Sequence, residues 1–170
     1  ILRDYPLNIE GQLNASDKKA TGEPKITTQG LVLSHGPNAL HAKGTLDKTW
    51  NMDVEVNFPE LAKSVPEVAG KLLGEIHLTG QFMEPEADLS LNLEQVNWND
   101  EAPLEKLVLS GSVTPLPHPS ADLTLSATGM AYQENTIDNV QLNVKGGEKS
   151  HELTLDVVSN IVSTSLAISA

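Results

Sequence analysis

Leu40-His41-Ala42-Lys43-Gly44-Thr45-Leu46 places an apolar residue or a glycine at every second position, with polar residues between. A period of two marks a β-strand with one dry face and one wet face. The same alternation runs through Leu7, Ile9, Gly11, Leu13 and Ala15, and through Trp50, Met52, Val54, Val56 and Phe58. It returns in Ile76, Leu78, Gly80 and Phe82, and in Ala87, Leu89, Leu91 and Leu93. Leu107, Leu109, Gly111 and Val113 repeat it, as do Leu123, Leu125, Ala127, Gly129 and Ala131. Leu142 and Val144 follow, then Leu153, Leu155 and Val157, and last Val162, Thr164, Leu166 and Ile168. Spaced this way, about ten to twelve short strands fill the chain, an all-β pattern.

A loose repeat underlies the strands. The unit apolar-x-apolar-x-Gly-x-apolar recurs at Leu7 to Leu13, Leu40 to Leu46, Ile76 to Phe82, Leu107 to Val113 and Leu125 to Ala131. Each glycine falls on the apolar face. Glycine inside a strand permits a bulge or a close backbone approach. Repeated from strand to strand, it curls a sheet around its apolar side. The expected fold is therefore all-β: a curled, groove-forming, mostly antiparallel sheet, trough-like, with an apolar interior. The same bends would also serve an ordinary closed sandwich or barrel.

Turns break the strands at Ser34 to Asn38, Met83 to Glu86, Asn97 to Pro103, Thr114 to Pro119 and Lys145 to Glu148. One segment differs. Pro59 to Gly70 sets Leu61, Val65 and Val68 at helical spacing, and Pro59 and Pro66 are each followed by Glu. Proline suits the first turn of a helix. One or two helical turns are expected here, laid over part of the sheet as a cover.

The chain has 170 residues, with 11 Lys plus Arg against 23 Asp plus Glu, so its formal charge is 11 − 23 = −12. Residues 1–170 read as a single β-rich trough domain, and the opening Ile1-Leu2-Arg3-Asp4 reads as a fragment of a much longer protein. The acidic balance argues against a nucleic-acid partner, because phosphate recognition needs clustered cations. It equally disfavours docking on an anionic lipid surface. No cysteine is present, which removes disulfides, thiolate-bound metals and thiol catalysis. No run approaches the length of apolar sequence that a membrane-spanning helix needs. Aromatic residues make up 4%, so the buried surface must be nearly all aliphatic.

The search for chemistry returns nothing. His35, His41, His77, His118 and His151 are scattered, with His35 and His118 in turns and the other three expected on the wet face. No metal site follows from them. Glu84, Glu86 and Asp88, like Asp100 and Glu101, read as solvated turn charge rather than as paired catalytic carboxylates. Gly146-Gly147-Glu148-Lys149-Ser150 lacks phosphate-loop spacing, and no nucleophile elbow occurs. No enzyme activity and no cofactor are expected.

What remains is the aliphatic face. Its expected groove lining is Leu78, Leu89, Leu91, Leu93, Leu107, Leu109, Leu123, Leu125, Leu142, Val144, Leu153 and Leu155. An open trough of this kind binds apolar guests with little specificity; acyl chains and unfolded membrane β-strands both qualify. Two other readings stand beside it. A closed β-sandwich would be a scaffold or binding module with no cargo groove. A β-helical carbohydrate-active enzyme would need convergent carboxylates and aromatic platforms, which this chain does not offer.

The Gly-containing strands, and stretches such as Leu73-Gly74-Glu75-Ile76-His77-Leu78-Thr79-Gly80-Gln81-Phe82, resemble the C-terminal region of the TamB family. The resemblance covers the whole chain and extends to AsmA-like and bridge-like lipid-transfer proteins. It implies the inner-membrane subunit of the translocation and assembly module of Gram-negative bacteria, reaching across the periplasm. It implies a long folded trough with an apolar interior, a β-taco. The implied partner is TamA, an outer-membrane barrel protein, contacted through the parent chain. The implied work is outer-membrane protein assembly, autotransporters included, or phospholipid transport between the two membranes. The inner-membrane anchor would then lie in a segment outside this chain. The family offers no catalytic motif; what carries over is the inward face.

Overall fold

The computed structural model describes residues 5–17, 24–98, 102–132, 135–160 and 162–169. Eleven strands form one sheet in which every strand pairs antiparallel with its neighbours in sequence. They are β1 (Leu7–Asp17), β2 (Pro24–His35), β3 (Asn38–Leu46), β4 (Trp50–Phe58), β5 (Val68–Gln81) and β6 (Glu84–Trp98). β7 (Ala102–Thr114), β8 (Ser120–Tyr132), β9 (Asn135–Gly147), β10 (His151–Ser159) and β11 (Ser163–Ser169) complete the sheet. The first and last strands do not meet, so the sheet is curled but unclosed.

This is the expected all-β trough, and among the described residues no second layer packs against it. A closed sandwich does not form. The curl is visible in how water reaches the two faces. Along β5 the residues alternate between half-buried and exposed, with Leu72, Gly74, Ile76 and Leu78 on the drier side. A flat single layer would leave both faces equally wet. The apolar face is drier because the sheet bends around it.

Local sequence explains most strand limits. Pro24, Pro85 and Pro103 sit at the first or second residue of their strands, where a missing N–H does least harm to a ladder. β2 escapes the alternation rule. Its register shifts between Thr28 and Leu31 against β3, so its apolar residues fall at Ile26, then Leu31 and Leu33. The bulge at Gln29 and Gly30 flips the phase and hides the strand from a period-two reading.

Residues 59–67 meet the helical expectation at its short end: one 3-10 turn forms, Leu61–Lys63, while β5 begins at Val68 instead of after Gly70. Two prolines in so short a run leave too few backbone donors for a longer helix. Several expected turns are shorter than read: β6 runs on to Trp98, and β9 runs through Gly147. Asn99 to Glu101, from the loop expected at Asn97 to Pro103, lie outside the described residues.

A candidate apolar trough

Because neighbouring strands pair in sequence order, their registers align the apolar positions into rows that cross the whole sheet. One row reads Ile9, Leu33, Leu40, Val56, Gly74, Leu91, Leu109, Leu125, Leu142, Leu155 and Leu166. The next reads Gly11, Leu31, Ala42, Val54, Ile76, Leu89, Gly111, Leu123, Val144, Leu153 and Ile168. Neither row contains a polar side chain. A third row carries Leu72, Leu93, Leu107, Ala127, Val140 and Val157 along one rim. A fourth carries Met52, Leu78, Ala87, Val113 and Ala121 towards the other.

The expected lining residues fall together on these rows. Leu91, Leu109, Leu125, Leu142 and Leu155 share the first; Leu89, Leu123, Val144 and Leu153 share the second. Leu93 and Leu107 lie on the third and Leu78 on the fourth. Each of them is half-buried. Val54, Ile76 and Val140 belong to the same surface and were absent from the sequence-derived lining, although Val54 and Ile76 show the alternation plainly. Leu31 and Leu33 are absent for another reason: a bulge puts their strand segment out of phase. Leu72, by contrast, is in phase with Ile76 and Leu78.

Dimensions follow from sheet geometry. With strands about 4.8 Å apart, eleven strands make a trough of roughly 50 Å. Rows two residues apart lie about 6.8 Å from each other, so the apolar contour across the four rows is roughly 20 Å. Fully buried apolar side chains are few: Leu46, Val56, Leu61, Val68, Ala87 and Ala127. Most of the remaining apolar face is half-buried by curvature, while Ile9, Leu166 and Ile168 on the two end strands are exposed.

Glycine sets that curvature by admitting the neighbouring strand. At Gly111, with φ +132°, a Cβ would collide with the carbonyl oxygen of Asp122 in β8. At Gly74 it would collide with the carbonyl oxygen of Ser90 and with Leu91 in β6. A side chain at either place would push the strands apart and flatten the sheet.

The opposite face is charged. Lys43, Asp53, His77 and Asp88 stand in one cross-strand row, which continues through Ser112 to Asp122, Lys145 and Glu152. Asp53 Oδ1 lies 2.7 Å from His77 Nδ1, and Lys145 Nζ lies 2.7 Å from Asp122 Oδ2. The hydrogen bond to Asp122, and then its charge, hold the Lys145 ammonium above the ordinary lysine value of 10.5. A hollow of about 470 Å³ lies on this side, lined by Gln29, His41, Lys43, Asp53, Glu55, Glu75 and His77 among others. Among the described residues no three His, Asp or Glu gather where they could hold a metal ion.

The histidines divide. His41 and His77 sit on the wet face as expected, but His151 opens β10 with the parity of Leu153, on the trough side of the rim. His35 ends β2 and is buried. It belongs to a polar cluster at the rim with Asn38, the most deeply buried polar side chain at 1% exposure. Asn38 Nδ2 donates to the Glu60 carbonyl at 2.8 Å and to the Ser64 hydroxyl at 2.7 Å, and the Glu60 amide donates back to Asn38 Oδ1 at 3.1 Å. Ser64 Oγ is also 2.8 Å from His35 Nδ1. The Tyr5 ring stands edge-on to His35.

Among the described residues no helix is long and apolar enough to cross a membrane. A family model described as the N-terminal domain of TamB matches residues 1–170. The expected placement in the C-terminal region is thereby corrected: the matching model is that of the N-terminal domain. The translocation and assembly module subunit TamB of Haemophilus influenzae is 26% identical over 169 residues, 99% of this chain and 13% of that protein. The chain thus spans a small part of the length of this relative. No solved structure matches the chain.

Proposed function

Since the chain belongs to the TamB N-terminal-domain family, we propose that its trough is a non-enzymatic conduit for apolar cargo in a translocation and assembly module. The observation that carries this reading is the pair of apolar rows that cross all eleven strands with no second layer over them. Taking an acyl chain out of a bilayer exposes it to water at about 0.8 kcal/mol per methylene. For a tail of about sixteen carbons that is on the order of 12 kcal/mol. An aliphatic trough offsets most of this cost. It is about as apolar as the bilayer, so it lowers the barrier to transfer without giving it a direction.

Two cargoes meet the same chemistry: phospholipid acyl chains, and apolar strands of unfolded outer-membrane proteins. In this reading the trough lies in the periplasm of a Gram-negative cell, its parent chain is anchored in the inner membrane, and the outer-membrane partner is TamA. Autotransporter secretion and lipid transport are then two outputs of one surface. The lining carrying the cargo is Leu89, Leu91, Leu109, Leu123, Leu125, Leu142, Val144, Leu153 and Leu155, flanked by Leu78, Leu93 and Leu107.

Photo-cross-linking from Leu109, followed by mass analysis of the adduct, tests the reading. A lipid or polypeptide adduct is the expected result. A trough that captures neither, in cells where the module is active, overturns it.

A further inference from the structure

We propose that residues 59–67 are a releasable strap that closes one stretch of the trough, over β2 to β4, and swings away to admit cargo there. The inference rests on the conduit reading above. Its starting point is topological. The segment connects β4 to β5, yet its fasteners are on β2 and β3. His35 shares the inward parity of Leu33, and Asn38 that of Leu40. A segment bonded to inward side chains runs on the trough side. It therefore leaves β4, reaches back over the mouth of β3 and β2, and returns to β5. At nine residues it is the longest connection between strands of the sheet.

The fastening is specific and small. Elsewhere along this rim row the inward positions are Leu72, Leu93, Leu107, Ala127 and Val140. In β2 and β3 they are the polar His35 and Asn38, which hold the strap. One side chain of the strap, Leu61, is buried, at 4% exposure; Ala62, Val65, Pro66 and Glu67 are exposed. In the row that crosses the trough floor, Val56 alone is fully buried, in the strand the strap leaves. Lys63 lies 5.8 Å over the Tyr5 ring, adding one light contact. A single 3-10 turn gives the segment little structure of its own. Few buried contacts and mostly exposed backbone are the marks of a locally opening element. Glu67, at φ +62°, sits at the return hinge in a conformation that an L-residue rarely adopts. A permanent strut would be anchored by apolar burial along its length. This one is held by one buried leucine and a small polar clasp, Asn38 to Glu60 and Ser64 and His35 to Ser64.

The chain has no cysteine, so a designed pair gives a clean lock. Asn38→Cys with Ser64→Cys joins two side chains that already touch. Oxidised, the strap is tied down; reduced, its polar clasp is gone. The full chain is mixed with phosphatidylethanolamine–phosphatidylglycerol vesicles that carry a phosphatidylethanolamine with a diazirine in one acyl chain. After irradiation, labelled peptides are mapped by mass spectrometry, and circular dichroism checks the fold in both states. Labelling at Leu40 and Val56 should rise about tenfold or more on reduction, because the disulfide is the tie that differs between the two states and its loss frees the opening equilibrium. Labelling at Leu109 and Leu125 should not change. Equal labelling at Leu40 and Val56 in both states, with Leu109 and Leu125 labelled, overturns the strap and leaves the conduit standing. No labelling anywhere in the trough overturns both. If the double variant does not fold, Ser64→Ala against the unaltered chain decides: a rise at Leu40 and Val56 supports the strap, and no change refutes it.

Discussion

Gly74 stands directly opposite Leu91 in the β5–β6 ladder, so close that a methyl group on Gly74 would strike both the Leu91 side chain and the carbonyl oxygen of Ser90. The trough's curvature depends on such contacts. Gly74→Ala should cost about 1–3 kcal/mol, the usual cost of forcing atoms into a packed place. At about 2–4 °C per kcal/mol for a chain of this size, the melting temperature falls by several degrees. Gly30→Ala is the control, since nothing lies within 4 Å of the added Cβ. It should be neutral or slightly stabilising by thermal melting.

A half-buried leucine on an open trough and a buried alanine respond differently to charge. Leu109→Arg should keep the β-sheet dichroism, because a long side chain can lead its charge out of an unsealed trough. Labelling by apolar probes around it should drop sharply. Ala127, at 4% exposure, has no such exit. Ala127→Arg should unfold the sheet or lower its melting temperature steeply. If Leu109→Arg unfolds the chain as well, the trough is sealed and the conduit reading is wrong.

Asn38 makes three hydrogen bonds to the 59–67 segment. Asn38→Ala leaves the Glu60 amide and carbonyl without these partners in a part-buried place. A loss of about 1–3 kcal/mol is expected in urea unfolding. Amide exchange should quicken at residues 60–64 before it quickens in β7 or β8. Uniform acceleration across the sheet would show instead that the segment is an integral part of the fold.

The Asp122–Lys145 pair gives a pH test. Lys145 is raised in the folded state by its hydrogen bond to Asp122, by the charge of Asp122 and, less, by Glu152. A raised folded value means that the pair's contribution is fully present below the unfolded value. It is lost as pH climbs through the folded one. The melting-temperature gap between the unaltered chain and Asp122→Asn should therefore be constant around neutral pH and shrink only above 10.5. The pair is exposed, so the gap should be small and should narrow in salt.

The alternation at Leu40 to Leu46 or Trp50 to Phe58 was enough to identify strands, because the period of a strand is a local property of the backbone. It also identified which side chains share a face, and all the lining leucines indeed share one. β2 was not legible: the bulge at Gln29 and Gly30 changes phase in mid-strand, and a period-two reading sees two short fragments. The strap was legible only as a departure from the pattern. Spacing pointed to a helical turn, and one forms; what spacing could not show was its attachment to His35 and Asn38, more than twenty residues away.

By itself, then, the amino-acid order determined an aliphatic face, a charged face and glycines that bend one towards the other. It could not determine whether the aliphatic face is covered. Two sheets pressed together and one sheet curled on itself require the same alternation, because either arrangement removes that face from water. Only the tertiary structure decided between them. Pairing each strand with its sequence neighbour uses all the described strands in a single layer, and among the described residues no second layer is left to close the trough.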